Sequence, residues 1–201
     1  MTNQAIEHAT QLFSTYKGIL KTSQALALGI APRTLYGMRD SGLLRQISRG
    51  TFQLADQEPL GNPDLVSVAK RIPKAVICLI SALHFYGLTT QIPHKVYIAL
   101  PQPAEKPRLD SPPLDIIWLS DKVYSAGITA QSIDGIPIKI YSIEKTITDC
   151  FKFRNKIGID VALEALKEYL KMSQKNIEHL IFFARIDRVE TLVSRYLEAL
   201  Q

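Results

Sequence analysis

The chain is poor in the residues that usually announce chemistry. It has 201 residues but only two cysteines, one tryptophan and four histidines. Neither Cys78 nor Cys150 has a partner two to four positions away, and His8, His84, His94 and His179 have no metal-ligand spacing, so no metal site or cofactor is expected. Both cysteines lie in apolar surroundings and read as small buried residues of a reducing compartment. There is no glycine-rich phosphate loop and no nucleophile elbow. No run of 18 apolar residues exists to span a membrane. Residues 1–20 are amphipathic rather than apolar, so a cytoplasmic location is expected and a secretory leader is not. His84, inside SALHFYG, reads as a structural histidine of a packed helix, with Phe85 and Tyr86 as core. The pattern excludes the common enzyme classes more readily than it suggests one.

What is present is a mild basic excess, unevenly placed. Net charge is +5 with 46% hydrophobic residues, enough for a core. Residues 1–56 carry six Lys/Arg against three acids, residues 57–149 nine of each, and residues 150–201 nine against seven. The excess per residue is therefore largest at the N-terminus, as phosphate neutralisation requires.

Residues 22–54, TSQALALGIAPRTLYGMRDSGLLRQISRGTFQL, explain that bias. Thr22 or Ser23 caps a short helix with apolar Ala25, Leu26 and Leu28. Gly29 ends it in a left-handed conformation, and Ile30 fills the corner. Pro32 suits the first turn of a second helix, which runs to about Ser41 before Gly42. Leu35 and Met38 form its buried stripe. Arg33, Tyr36, Gly37 and Asp40 fall opposite, with Asp40 placed to orient an arginine. Residues 43–47 and 51–54 alternate as a half-buried hairpin, with Arg49 and Gly50 at its tip. Helix, turn, helix and hairpin make a winged helix-turn-helix, which sets its second helix in the DNA major groove. A first helix over 4–15 (Ile6, Ala9, Leu12, Phe13) completes its core. Candidate DNA contacts are Arg33, Thr34, Tyr36, Gly37, Arg39, Arg45 and Arg49, with Lys17 and Lys21 on phosphates.

The predicted fold is α+β: a winged helix-turn-helix over residues 1–56, then a mixed α/β domain over 57–201 with a small sheet and a C-terminal helical layer. Residues 55–63 read as the linker and Asn62-Pro63 as a helix start. Residues 76–80 form a strand or a helix start, and 95–100 and 114–119 form strands. Between them lies an extended loop with prolines at 101, 103, 107, 112 and 113. Asp134-Gly135 marks a hairpin. Ser142, Asp160 and Ser173 open helices, and Asp187 with Glu190 has capping-box spacing for a last one. Glu144 with Thr148 and Lys145 with Asp149 are (i, i+4) pairs. Lys152, Arg154 and Lys156 follow as a basic run. Together with Lys145 and Asp149 they are a regional candidate for a second basic or partner-facing surface.

Residues 81–101 (SALHFYGLTTQIPHKVYIALP) and 142–170 (SIEKTITDCFKFRNKIGIDVALEALKEYL), behind the winged helix, make the chain resemble the AbiEi antitoxin family of transcriptional regulators. The resemblance implies an autorepressor of a type IV toxin–antitoxin, abortive-infection system. It implies binding to inverted repeats of double-stranded DNA at its own promoter. It also implies a C-terminal domain that counters a nucleotidyltransferase-like toxin without a stable complex. The alternatives are an interaction module gripping a partner through the C-terminal helices, or an enzyme reversing the toxin's modification.

Overall fold

The computed structural model of the chain describes residues 3–56 and 61–200; residues 57–60 of the expected linker lie outside that range. The first elements are α1 (Asn3–Thr15), β1 (Ile19–Lys21), α2 (Thr22–Ala27), α3 (Pro32–Asp40), β2 (Leu44–Ser48) and β3 (Thr51–Leu54). Apolar residues three and four apart on α1 bury Ala9 and Phe13 against Leu20, Ala25, Ile30, Leu35, Met38, Phe52 and Leu54. Gly29, at φ +89°, turns the chain between α2 and α3, a conformation a Cβ disfavours. Ile30 plugs the corner, and Pro32 opens α3 where a missing N–H costs nothing.

Two local expectations change. Neither Thr22 nor Ser23 caps α2: the cap position is Lys21, whose backbone N–H donates to Gln24 Oε1 at 3.1 Å. The Thr22 hydroxyl donates instead to Gly50 O, at 3.3 Å. Leu26 is also 41% exposed rather than core.

The larger change is β1, which a three-residue apolar stretch does not announce. It makes a sheet of order β1-β3-β2, so β3 is central and buried on both faces rather than half-exposed. Leu20 pairs with Phe52 and faces the helical core. Ile19 pairs with Gln53 and joins a second core.

That second core belongs to the rest of the chain. After α4 (Pro63–Arg71), capped by the Asn62 side chain accepting from Leu65 N at 3.2 Å, come β4 (Val76–Ile77), α5 (Leu79–Phe85), β5 (Val96–Pro101) and β6 (Leu114–Leu119). Next are α6 (Asp121–Ser125), β7 (Ile128–Ile133), β8 (Ile136–Tyr141), α7 (Ile143–Lys152), α8 (Arg154–Ile157), α9 (Ile159–Lys171), α10 (Ile177–Asp187) and α11 (Glu190–Leu200). The residues 76–80 thus supply both a short strand and a helix start. The strands form a mixed sheet of order β6-β5-β4-β8-β7, with β5–β6 and β4–β8 parallel. Period-2 alternation sends side chains to both faces, and each face meets a helical layer over part of the sheet, Pro137 and Lys139 of β8 staying exposed. Ile98, Ile138 and Ile140 meet Leu65, Val66 and Val68 of α4 on one side. Ala99, Ile117 and Tyr141 meet α5, α7, α9, α10 and α11 on the other. The fold is α+β with two small sheets.

Helix starts differ in three places. Gly158, not Asp160, occupies the cap of α9. Asn176, not Ser173, caps α10 by accepting from His179 N at 2.9 Å. Asp187 ends α10 rather than capping α11, and is buried.

Ile19 carries side-chain packing from the N-terminal sheet into the second core. Ile19→Ala is predicted to lower unfolding free energy by about 2–5 kcal/mol. Urea denaturation followed by circular dichroism measures this; a loss under about 1 kcal/mol would show that the site is not packed as described.

Candidate nucleic-acid interface

α3 divides cleanly. Leu35 and Met38 are fully buried, whereas Arg33, Tyr36 and Arg39 are exposed. Tyr36 is held by its edge-on contact with Phe52, centroids 6.2 Å apart. The Arg39 guanidinium lies 5.2 Å above the Tyr36 ring and pairs with Asp40 at 2.6 Å. Arginine and tyrosine thus share one pre-oriented surface, which lowers the conformational cost of engaging a ligand. Gly37 is half-buried, and Arg45 is exposed on β2. Thr34 must be withdrawn as a contact residue: it sits beside Leu35 on the inward face and is only 7% exposed.

Arg49, at the tip between β2 and β3, is 75% exposed and pairs with Asp110 of the proline-rich loop. The Arg49 carbonyl accepts from Arg71 Nη1 at 2.6 Å. The tip is therefore tied to α4 and to the loop after β5. Lys17 is also engaged, its ammonium donating to Gly135 O in the β7–β8 turn.

These ties gather cations from distant parts of the sequence. Lys21, Arg49 and Arg71 line one cleft of about 290 Å³. Burial and then Arg71 lower the Lys21 pKa; burial, Lys21 and Lys17 lower that of Lys70. Like charges that depress one another are relieved by an anion placed among them. Lys70 and Arg71 escape sequence reading because cations in a helix's last turn are already explained by the helix dipole. Only β1 and α4 packing brings them beside Lys21.

The expected second surface around residues 145–156 loses two of its five members. Lys145 and Asp149 are fully buried, which removes them from any surface. Lys145 Nζ lies 2.5 Å from Asp149 Oδ1 and 3.1 Å from Asp187 Oδ1, and 4.8 Å from the Tyr141 ring centroid. Thr148 Oγ1 donates to Asp187 Oδ2 at 2.6 Å. Lys152 reaches Asp187 from the rim at 3.7 Å. Gly127 makes room: at φ +75°, a Cβ there would stand 2.8 Å from Lys145 Cβ. Lys156 pairs with Asp115, and Arg154 Nη1 donates to Phe151 O at 2.9 Å.

Burial pushes the Asp149 carboxyl up to about 7, Asp187 adding to the rise and Lys145 opposing it. Cys78 and Cys150 are buried, and burial pushes both thiols up. His84 is exposed rather than packed, beside Asp64 and Lys95 in a cleft. Among the described residues no group of His, Cys, Asp or Glu is arranged to hold a metal ion, and no helix is long and apolar enough to cross a membrane.

The chain is thus an α+β protein with a cationic, aromatic helix face at its N-terminal end. Residues 9–55, which span that face, match the family model described as "Transcriptional regulator, AbiEi antitoxin". No curated protein matches. Among solved structures, the chain is similar to the RV2827C protein from Mycobacterium tuberculosis at 13% identity and a TM-score of 0.56, over 100% of this chain and 81% of that one. At that identity the likeness concerns the fold.

Removing the buried ammonium leaves Asp149 without a counter-ion, beside an Asp187 whose remaining cation is Lys152 at 3.7 Å. Lys145→Ala is predicted to cost about 3–5 kcal/mol. Asp149 binds its proton more tightly folded than unfolded. Its contribution is therefore full below the unfolded carboxyl pKa and is lost as pH rises through about 7. Asp149→Asn should flatten the decline in stability between acid and neutral pH; urea midpoints measured across that range should show wild type falling faster than the variant. Equal slopes would remove Asp149 from the account.

Proposed function

We propose that the chain is a DNA-binding autorepressor and the antitoxin of a type IV toxin–antitoxin pair. The unit from α1 to β3 acts as a winged helix-turn-helix domain, residues 1–56, with α3 entering the major groove and the β2–β3 hairpin as wing. The observation that carries this is the outward face of α3, where Arg33, Tyr36 and Arg39 stand over buried Leu35 and Met38, within the segment that matches transcriptional regulators. Arg33 reads a base edge, since arginine matches the guanine acceptor pair bidentately. Tyr36 and Arg39 act as a stacked pair at the groove edge.

The cations around Lys21 extend the contact along the phosphate backbone, with Lys70 and Arg71 of α4 joining Arg49 of the wing. The Arg49–Asp110 pair does not oppose this strongly. Both partners are exposed, and such pairs contribute under about 1 kcal/mol. The bound sites are inverted repeats at the protein's own promoter. Residues 57–201 counter a nucleotidyltransferase-like toxin in the cytoplasm, without forming a stable complex.

Mobility shift with the protein's own promoter DNA tests the proposal. Arg33→Ala should weaken binding by about 1–3 kcal/mol and relax sequence preference. Lys70→Ala with Arg71→Ala should weaken binding to every sequence alike and reduce the salt slope by about one unit per cation removed. Wild-type binding by both variants would overturn the assignment of this face. Asp110→Asn should strengthen binding by less than about 1 kcal/mol; weaker binding would mean that Asp110 positions Arg49 rather than competing for it.

A further inference from the structure

The corner between α10 and α11 carries a concentration of positive charge that repressor function leaves unused. Two adjoining clefts, of about 440 and 420 Å³, share Arg185 and Arg188. Arg154 lines one, and Lys122 and Lys152 line the other. Against these five cations the clefts present two carboxylates, Asp187 and Glu190. Each already pairs with one of the five, which leaves an excess of three positive charges. Asp187 is shared among Lys145, Thr148 and Lys152, the last at 3.7 Å, and Glu190 pairs with Arg185 at 2.8 Å. Arg188 holds a left-handed backbone, φ 60° and ψ 40°, a position usually given to glycine or asparagine. Here it presents a guanidinium to both clefts.

An aromatic side chain adjoins the cations. Phe182 is 55% exposed, one helical turn before Arg185 and on the same face of α10. It is braced edge-on by Phe183, centroids 5.2 Å apart, and a Cβ built on Gly127 would approach Phe183 Cε1 to 3.1 Å, marking how closely Phe183 packs there. A braced, exposed aromatic ring beside a run of cations is the chemistry that holds stacked bases and their phosphates. A duplex hides its base faces and would leave Phe182 unused.

The site is also distinct from α3. Lys17 meets the hairpin turn at Gly135, whereas Lys145 meets Tyr141 at the far end of β8. Those two contacts lie about 20 Å of extended strand apart.

We propose that the α10–α11 corner binds single-stranded nucleic acid, with Arg185, Arg188 and Lys152 on phosphates and Phe182 stacked on a base. The proposal is independent of the reading of α3. It is tested on the full chain by fluorescence anisotropy with a labelled oligouridylate of about ten nucleotides, the DNA oligomer of the same sequence, and ATP. At least one oligomer should bind, more tightly than ATP. Arg185→Ala with Arg188→Ala should weaken that binding by about tenfold or more. Phe182→Ala should weaken it about tenfold, and Phe182→Tyr, which keeps the stacking face, should restore it. Arg33→Ala should leave it unchanged. Thermal melting confirms that each variant is folded; should the double arginine variant melt early, Phe182→Ala, on an exposed side chain, carries the test. The proposal is overturned if no oligomer binds, if ATP binds as tightly as the oligomers, if Phe182→Ala has no effect, or if the loss follows Arg33 instead.

Discussion

A three-residue strand determines how the two halves of this protein meet. In β1 the side chains alternate, so Leu20 closes the helical core while Ile19 enters the core beneath the larger sheet. That alternation is the ordinary period of a strand, but at this position it makes β3 buried on both faces. It also sets the hairpin against α4, and places Lys21 where it feels the charge of Arg71. A shift of one residue would exchange the two side chains and expose one core or the other. The orientation of α3 and the hairpin relative to the rest of the chain rests on this register.

The second organising feature is charge that has been taken out of circulation. Lys145, Asp149 and Asp187 spend their charges on one another inside the helical layer. Desolvation offsets much of what such a buried set contributes to net stability; it joins α7 to the end of α10 and sits against the Tyr141 ring at the end of β8. Two groups of cations outside it gather in clefts. One lies around the Arg49 tip and Lys21, the other around Arg185 and Arg188.

The α2–α3 corner was legible because each residue has a local job. Gly29, Ile30, Pro32, Leu35 and Met38 all do what their chemistry dictates within a few residues of themselves. So do Asp134-Gly135 and Ser142. What the sequence hid was non-local. β1 is too short to show a period. Lys145 and Asp149 look like a surface (i, i+4) pair, and only Asp187, about forty residues on, reveals a buried triad. Asp187 itself resembles a cap because its spacing to Glu190 fits one. Thr34 borders the buried stripe of α3, and an angular count alone does not fix the width of that stripe. Lys70 and Arg71 gain significance only from Lys21, which reaches them through tertiary packing.

The central claim is that α3 and the hairpin tip are the surface that meets DNA. Amide chemical-shift mapping of the full chain, titrated with its own promoter duplex, tests this most directly. The account predicts the largest changes at Arg33, Tyr36, Arg39 and residues 48–51, with smaller ones at Lys70 and Arg71 and little change across α10 and α11. Changes concentrated on the C-terminal helices, with α3 silent, would contradict it.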